Sequence, residues 1–187
     1  MIVSKKIREH IEPYLDGHDF SLFNLFYLLL FNAGCQLNLL FRISHRLSNK
    51  FNDKRFFWLI PRIVVCFERI IFGSYINPGA KIGKRFKIIY GMGIVIGGKV
   101  KIGDDVTIFN GVSLGSATPG LPDVKQPKIG NNVFIGTGAK VLGDITIGDN
   151  VKIGANSVVL KSFGPNVTIA GVPAKIMNNN QHRKDLR

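Results

Sequence analysis

Aliphatic residues recur at every sixth position over the C-terminal three-fifths of the chain. A period of six fits neither an amphipathic helix nor a simple alternating strand. It is typical of a β-helix, in which each hexapeptide forms one short strand and one corner, and three hexapeptides complete a coil of about 18 residues. The aliphatic side chains then stack along the axis. They are Ile76, Ile82, Ile88, Ile96, Ile102, Ile108, Leu114, Ile129, Ile135, Val141, Ile147, Ile153 and Val159.

Small and amide-bearing residues occupy the positions where such a coil must turn. A glycine often follows the aliphatic residue directly, and the pairs Asp104-Asp105, Asn131-Asn132 and Asp149-Asn150 recur at equivalent places. Glycine adopts left-handed backbone angles freely, and asparagine and aspartate adopt them more readily than other residues. We therefore interpret these pairs as turn residues and not as catalytic groups.

Two interruptions break the six-residue register. Two extra residues lie between Ile88 and Ile96, and a longer insert runs over residues 116–127 with three prolines. We predict that this insert projects from the coil as a loop. Loops at a break in a solenoid often line a binding site.

Residues 1–75 lack this pattern and predict a small α-helical region. The stretch from Phe20 to Phe41 contains no charged residue, but Gly34 and four amide side chains make it a poor transmembrane span. We predict a bent hydrophobic helical hairpin, followed by a second apolar helix from Phe56 to Phe72. Basic and aromatic residues beside these helices leave two partners open, a second subunit and an anionic membrane surface.

The charge balance narrows the classes of partner. The formal net charge is +13, yet no nucleic-acid-binding motif accompanies it, so we expect no nucleic-acid partner. Cys35 and Cys66 both lie in apolar segments, which favours two buried, reduced thiols. The first twenty residues are charged and lack an apolar stretch, so we expect a cytoplasmic protein, with the inner face of the cytoplasmic membrane as an alternative location.

Several motifs together resemble serine acetyltransferase and its relatives, the O-acetyltransferases of capsule, O-antigen and exopolysaccharide synthesis. The resemblance covers about residues 74–176 and implies a mainly β fold, a left-handed parallel β-helix preceded by the helical region. We divide the chain into residues 1–75, 76–176 and a basic tail at 177–187. The resemblance also implies a homotrimer with acetyl-CoA, as co-substrate, between neighbouring subunits. The motifs are Ile76–Gly83, Gly91–Gly97, Ile102–Ile108, Gly111–Gly115, Gly138–Gly143 and Ala170–Lys175.

The same resemblance implies a set of residues that bind acetyl-CoA. Gly136, Thr137 and Ala139 match the coil edge along the pantetheine arm, Ala155 and Ser157 continue it one coil later, and Lys161 and Lys175 match positions near the phosphates. Small residues let the cofactor approach the backbone, and lysines complement phosphate charge. No metal is expected, because the β-helix segment contains no histidine, which also excludes a zinc-dependent carbonic anhydrase of the gamma type.

Four positions depart from the family pattern. The family has an Asp-His pair before the Gly-Met-Gly stretch, with the histidine as general base, and this chain has Ile89 and Tyr90. The family also has an Arg-His pair that recognises the serine carboxylate, where this chain has Lys125 and Gln126. We assign Tyr90, Asn110 and Gln126 to the acceptor pocket and leave the general base unassigned.

These observations predict an acetyl-CoA-dependent O-acetyltransferase. A sugar hydroxyl in surface-polysaccharide synthesis is the preferred acceptor, because the residues that would select serine have changed. Two alternatives stay open. One is serine O-acetyltransferase of cysteine biosynthesis, and the other is a catalytically inactive relative that binds CoA or serves as a scaffold.

Overall fold

The computed structural model describes residues 5–15, 19–51, 59–118 and 124–177. Helices come first: α1 (Lys5–Ile11), a 3-10 turn (Glu12–Tyr14), α2 (Leu22–Phe31), α3 (Ala33–Phe51) and α4 (Leu59–Phe72). Fifteen short strands follow within the described residues. They are β1 (Tyr75–Ile76), β2 (Lys81–Ile82), β3 (Lys87–Ile88), β4 (Val95–Ile96), β5 (Lys101–Ile102), β6 (Thr107–Ile108), β7 (Ser113–Gly115), β8 (Lys128–Ile129), β9 (Phe134–Ile135), β10 (Lys140–Leu142), β11 (Thr146–Ile147), β12 (Lys152–Ile153), β13 (Val158–Val159), β14 (Thr168–Ala170) and β15 (Lys175–Ile176).

The strands form three parallel sheets, which are the three faces of a prism. Face 1 contains β1, β4, β7, β10 and β13; face 2 contains β2, β5, β8 and β11; face 3 contains β3, β6, β9, β12 and β14, with β15 added antiparallel at its end. Each strand pairs with the strand one coil later, so that Ile76 lies opposite Ile96 and Ile96 opposite Leu114. The predicted left-handed parallel β-helix, with a small helical region before it, is confirmed.

The aliphatic series fills the interior of the prism. Its members are buried, with the exception of Ile82 on β2 of the first coil, which is half-buried. Burial of a side chain of this size contributes about 1.5–3 kcal/mol, and each one contacts its copies in the coils above and below. The stacked core is therefore what the six-residue period encodes.

The corner between faces 2 and 3 shows why amide residues recur there. Asp105, Asn132 and Asn150 adopt left-handed backbone angles, with φ of 59°, 51° and 58°. Their side chains also stack: Asn132 donates to Asn150 at 2.8 Å, and Asn150 donates to Asn166 at 2.8 Å. The interpretation of these residues as turn formers is confirmed.

Both ends of the predicted insert lie where the sequence places them. Residues 116–118 leave face 1 after β7, and residues 124–127 enter face 2 before β8. The middle of the insert, residues 119–123, which we predicted to project from the coil, lies outside the described residues, as do residues 178–187 of the predicted tail, with His182. The described helices end at Phe72 and the strands begin at Tyr75.

The hydrophobic stretch near the N-terminus bends where an asparagine caps a helix. Asn32 separates α2 from α3, and its side-chain oxygen accepts a hydrogen bond from the N–H of Cys35 at 2.9 Å, as an N-cap does. The two helices meet at 91°, so they are nearly perpendicular and do not form the predicted hairpin. Among the described residues no single helix is long and apolar enough to cross a membrane, although α2 and α3 taken together meet the length and composition criteria.

Side chains from the helical region seal the first coil of the prism. This coil has no preceding coil to pair with, and unpaired strand edges are costly when buried. Arg42 donates to the carbonyls of Ile82 and Gly83 at 2.7 and 2.6 Å, and Asn38 donates to the carbonyl of Phe86 at 2.9 Å. Helix α3 therefore takes the place of the missing coil.

Tyr14 closes the same end of the prism at the bend. Its buried hydroxyl accepts from the N–H of Ile88 at 2.9 Å and donates to the carbonyl of Gly34 at 3.2 Å. A Cβ at Gly34 would lie 1.9 Å from the carbonyl oxygen of Ile88. The helical bend thus rests directly on the backbone of the first coil.

The two cysteines differ from each other, which corrects one expectation. Cys35 is buried, as predicted, and burial raises the pKa of its thiol to about 12. Cys66 is exposed, because it lies on the face of α4 opposite the buried residues Val65, Glu68 and Phe72. Phe67, the next residue in the sequence, is exposed as well, whereas Val65 on the other side of Cys66 is buried.

Glu68 places a carboxyl group on the buried face of α4. The residue is fully buried, and neither carboxylate oxygen completes a hydrogen bond with a described residue. Desolvation raises the pKa of Glu68 to about 7, and the nearby backbone N–H of Ile76 offsets only part of that shift.

We predict that Gly34→Ala destabilises the protein by about 2–3 kcal/mol, because the new methyl group has no space against the Ile88 carbonyl. Denaturant unfolding measures the effect. Gly164→Ala is the matched control, since nothing lies within 4 Å of a Cβ there. Equal stability of the two variants would show that the bend does not rest on the coil.

We predict that Glu68→Gln stabilises the protein at pH 8 by about 3 kcal/mol. Because the folded-state pKa is about 7, above the ordinary value of 4.5, only the unfolded state releases the proton between these values. Stability of the native protein therefore falls as pH rises from about 4.5 to about 7, and the variant lacks this fall. Unfolding measured from pH 4 to 8 tests this, with the exposed Glu12→Gln as control; parallel pH profiles for native protein and Glu68→Gln would contradict it.

Candidate active site

The predicted site residues lie on two of the three edges of the prism. Edge 3–1, where the chain passes from face 3 to face 1, carries Tyr90, Asn110, Thr137 and Ala155 in four successive coils. Edge 1–2, where it passes from face 1 to face 2, carries Gln126 and Lys161. Face 1 separates the two edges, so a single chain does not bring all the predicted residues together.

Edge 3–1 presents a strip of small residues. Gly111 and Gly138 have φ of 71° and 72°, and a Cβ at Gly138 would lie 2.1 Å from the side-chain oxygen of Asn156. Ala155 continues the strip one coil later and is exposed. The Asn156 side chain fills the space beside Gly138, and Gly111, Thr137 and Gly138 are half-buried. The side chains that these residues present are small or absent, so an extended ligand can lie near the backbone of this edge.

Asn110 and Thr137 are joined within this strip. The Thr137 hydroxyl donates to the side-chain oxygen of Asn110 at 3.3 Å, and the N–H of Gly138 donates to the Asn110 carbonyl at 2.9 Å. This fixes the orientation of the Asn110 side chain, so that its amide N–H groups remain as the donors it offers to a ligand.

Three of the residues predicted to bind the cofactor are covered within this chain. Gly136, Ala139 and Ser157 are buried. The Ser157 hydroxyl accepts from the N–H of Gly171 at 3.2 Å, and Ala139 faces the core. Their side chains do not line the surface, because these positions support the edge from within; Thr137 and Ala155 are the ones that reach it.

Tyr90 stands at the first coil of edge 3–1. Its ring is 69% exposed, and its backbone is left-handed, with φ of 54°, an uncommon angle for an aromatic residue. The side chain lies at the mouth of a cavity of about 280 Å³ that includes Phe31, Asn32 and Gly34 from the α2–α3 bend. The helical region thus helps to shape the surroundings of this side chain.

Gln126 lies at edge 1–2 and has a structural partner there. Its side-chain oxygen accepts from the N–H of Lys99 at 2.8 Å, and its amide occupies the space beside Gly97. Lys125, next to it, forms an exposed ion pair with Asp144 at 3.0 Å. Both positions are tied to neighbouring coils on this edge.

The two lysines predicted to lie near the CoA phosphates are on different parts of the prism. Lys175 lies on β15, opposite Ala170 of β14, at the end of face 3 that leads to edge 3–1. Lys161 follows β13 on edge 1–2, with its ammonium 5.5 Å from the centre of the Phe163 ring. Both side chains are exposed.

A pocket on edge 1–2 went unrecognised in the sequence. It has a volume of about 700 Å³, and Arg62, Cys66 and Arg69 of α4 line it together with Tyr75 and Asn77 of the first coil. The spacing of the two arginines along one helix was visible in the sequence. Their position against the first coil depends on how α4 packs, for which the sequence offers no local signal.

The chain is similar to known hexapeptide-repeat transferases. Residues 126–161 match the family model described as bacterial transferase hexapeptide (six repeats). A serine acetyltransferase of Helicobacter pylori (strain ATCC 700392 / 26695) is 44% identical over 158 residues, which cover 84% of this chain and 89% of that protein. A serine acetyltransferase of Bacillus subtilis (strain 168) is 38% identical over 184 residues, covering 97% and 82%.

Solved structures agree with these relatives. The serine acetyltransferase from Brucella abortus strain S19, solved in complex with coenzyme A, superposes with a TM-score of 0.80 at 33% identity. The match covers 92% of this chain and 66% of that one. This chain therefore spans about two-thirds of the length of that structure.

Proposed function

The chain belongs to the serine acetyltransferase family, and we propose that it transfers the acetyl group of acetyl-CoA to a hydroxyl group. The predicted membership in the hexapeptide-repeat acyltransferases, with acetyl-CoA as co-substrate, is confirmed by these relatives. The acceptor, the assembly and the roles of single residues are part of the proposal.

The strip of small residues along edge 3–1 is the observation on which this proposal rests. The small side chains of Thr137 and Ala155, with Gly138 next to Thr137, let an extended pantetheine arm lie near the backbone. Lys175 supplies positive charge at the far end for a phosphate. In the reaction, the acceptor oxygen forms a bond to the acetyl carbon and the carbon–sulfur bond breaks. The hydroxyl proton ends on the CoA thiol.

A homotrimer would unite the two edges of the candidate site. If three prisms pack with face 1 toward a common axis, edge 3–1 of one copy meets edge 1–2 of the next. The outward residues of face 1 suit this, because Val95, Ser113 and Val158 carry no charge and the Lys140 ammonium is bonded to the Gly111 carbonyl at 2.5 Å. Face 2, by contrast, presents exposed Lys81, Lys101 and Lys128 side by side, and this row of like charges disfavours close packing of that face.

L-serine is the first candidate acceptor. The relatives named above are all serine acetyltransferases, so the comparisons reverse the ranking that the sequence suggested. One observation still supports a sugar hydroxyl as the second candidate. At the acceptor end, the exposed group on edge 3–1 is the phenol of Tyr90, and Gln126 is engaged with Lys99.

We predict that the purified protein releases CoA from acetyl-CoA in the presence of a hydroxyl acceptor, and that Tyr90→Phe lowers kcat/KM about tenfold through loss of one hydrogen bond to the acceptor. Release of free thiol with L-serine, glucose and N-acetylglucosamine measures this. Transfer to serine identifies the first candidate, and transfer to a sugar alone identifies the second. CoA binding without transfer to any acceptor would contradict the proposed activity and favour the inactive relative.

We predict that Lys175→Gln weakens CoA binding about fivefold at low salt, because one phosphate contact is lost. Titration calorimetry at two salt concentrations measures the affinity. Lys101→Gln, an exposed lysine of face 2, is the control with the same change of charge. An equal loss in both variants would mean that only net charge, and not the position of Lys175, matters.

A further inference from the structure

The pocket of about 700 Å³ on edge 1–2 has the composition of an anion-binding site. Arg62, Cys66 and Arg69 fall at positions i, i+4 and i+7 of α4, which places them on one helix face. All three are exposed and line the pocket. None of the described residues that line it is acidic.

Hydrogen bonds on the coil side hold a further donor in place. The side-chain amide of Asn77 donates to the Tyr75 hydroxyl at 2.8 Å, and its oxygen accepts from the N–H of Gly79 at 2.9 Å. The Tyr75 oxygen accepts from Asn77, so its own O–H remains a donor for a ligand. Arg69 lies over the Tyr75 ring, with 4.4 Å from its guanidinium carbon to the ring centre, which orients that guanidinium.

We propose that this pocket binds the carboxylate group of the acceptor substrate. The Arg69 guanidinium can hold a carboxylate through two paired N–H donors, and the Tyr75 hydroxyl adds a third donor. The pocket shares edge 1–2 with Gln126 and lies at the first coil, the same level as Tyr90 on edge 3–1. In a trimer packed through face 1, it faces the Tyr90 edge of the next copy.

This inference rests on the proposed transfer reaction and narrows its acceptor. A carboxylate is common to L-serine and to a uronic acid, so the pocket accommodates both candidate acceptors. It also offers a replacement for the arginine that the family resemblance places at residue 125, where this chain has Lys125 in an ion pair with Asp144. The positive charge comes instead from α4.

Cys66 provides a reporter inside the pocket. It is exposed there, whereas the other cysteine, Cys35, is buried with a raised pKa, and thiolate is the form that alkylating reagents attack. We expect L-serine and D-glucuronate to slow alkylation of Cys66 by iodoacetamide at least fivefold at saturation. D-glucose, which lacks the carboxylate, leaves the rate unchanged. Peptide mass spectrometry follows the modification of each cysteine.

Variants separate the pocket from general charge effects. Arg69→Gln abolishes protection by both carboxylates, and Arg69→Lys restores part of it. Arg46→Gln, an exposed arginine of α3 outside the pocket lining, retains full protection. Protection that survives Arg69→Gln, or a native protein that no carboxylate protects, overturns the inference. Protection by inorganic phosphate alone overturns it too, because the site would then bind a free oxyanion.

Two measurements distinguish this inference from the proposed function. Acetyl transfer without carboxylate protection of Cys66 refutes the pocket and leaves the reaction standing. Carboxylate protection in a protein that transfers no acetyl group refutes the reaction and leaves a carboxylate site. In the active protein, Arg69→Gln raises KM for the carboxylate-bearing acceptor at least tenfold and leaves the affinity for CoA unchanged.

Discussion

The hydrogen bonds that close the first coil are the contacts on which the rest of the structure depends. Every later coil pairs its backbone with the coil before it, but the first coil has none, and a bare edge of this kind exposes donors and acceptors that must be satisfied. Arg42, Asn38 and Tyr14 satisfy them from the helical region. The helices are for this reason part of the prism and not an appendage beside it.

The same packing decides the shape of both edges near the first coil. The α2–α3 bend rests on Ile88 through Gly34, which places Phe31 and Asn32 beside Tyr90. Helix α4 packs on β1 and carries Arg69 over Tyr75. The helical region therefore contributes side chains to each of the two edges that the candidate site requires.

The prism could be predicted from the sequence because its information is local and repeated. Ile96, Leu114 and Val141 each specify one inward position, and Asn132 specifies one corner. The same local signal is repeated in every coil, so the fold can be predicted even where one repeat departs from the pattern. The sequence predicted a bent hairpin with Gly34 as the interruption, but the bend lies at Asn32, and its direction depends on how α3 meets the first coil. Cys66 illustrates the limit: an apolar segment indicates burial, yet only packing decides which side of α4 is covered.

The candidate site was harder to predict because its residues belong to different edges. Motif matching treats Tyr90 and Gln126 as neighbours in one pocket, whereas the chain passes along face 1 between edge 3–1 and edge 1–2. In a β-helix, two residues are far apart when they lie on different edges, even if they belong to neighbouring coils. The proposed reaction draws on both edges, so it depends on the proposed packing of two copies through face 1. Because face 1 carries little exposed charge while face 2 carries a row of lysines, the charge pattern on the prism itself favours the assembly in which the edges meet.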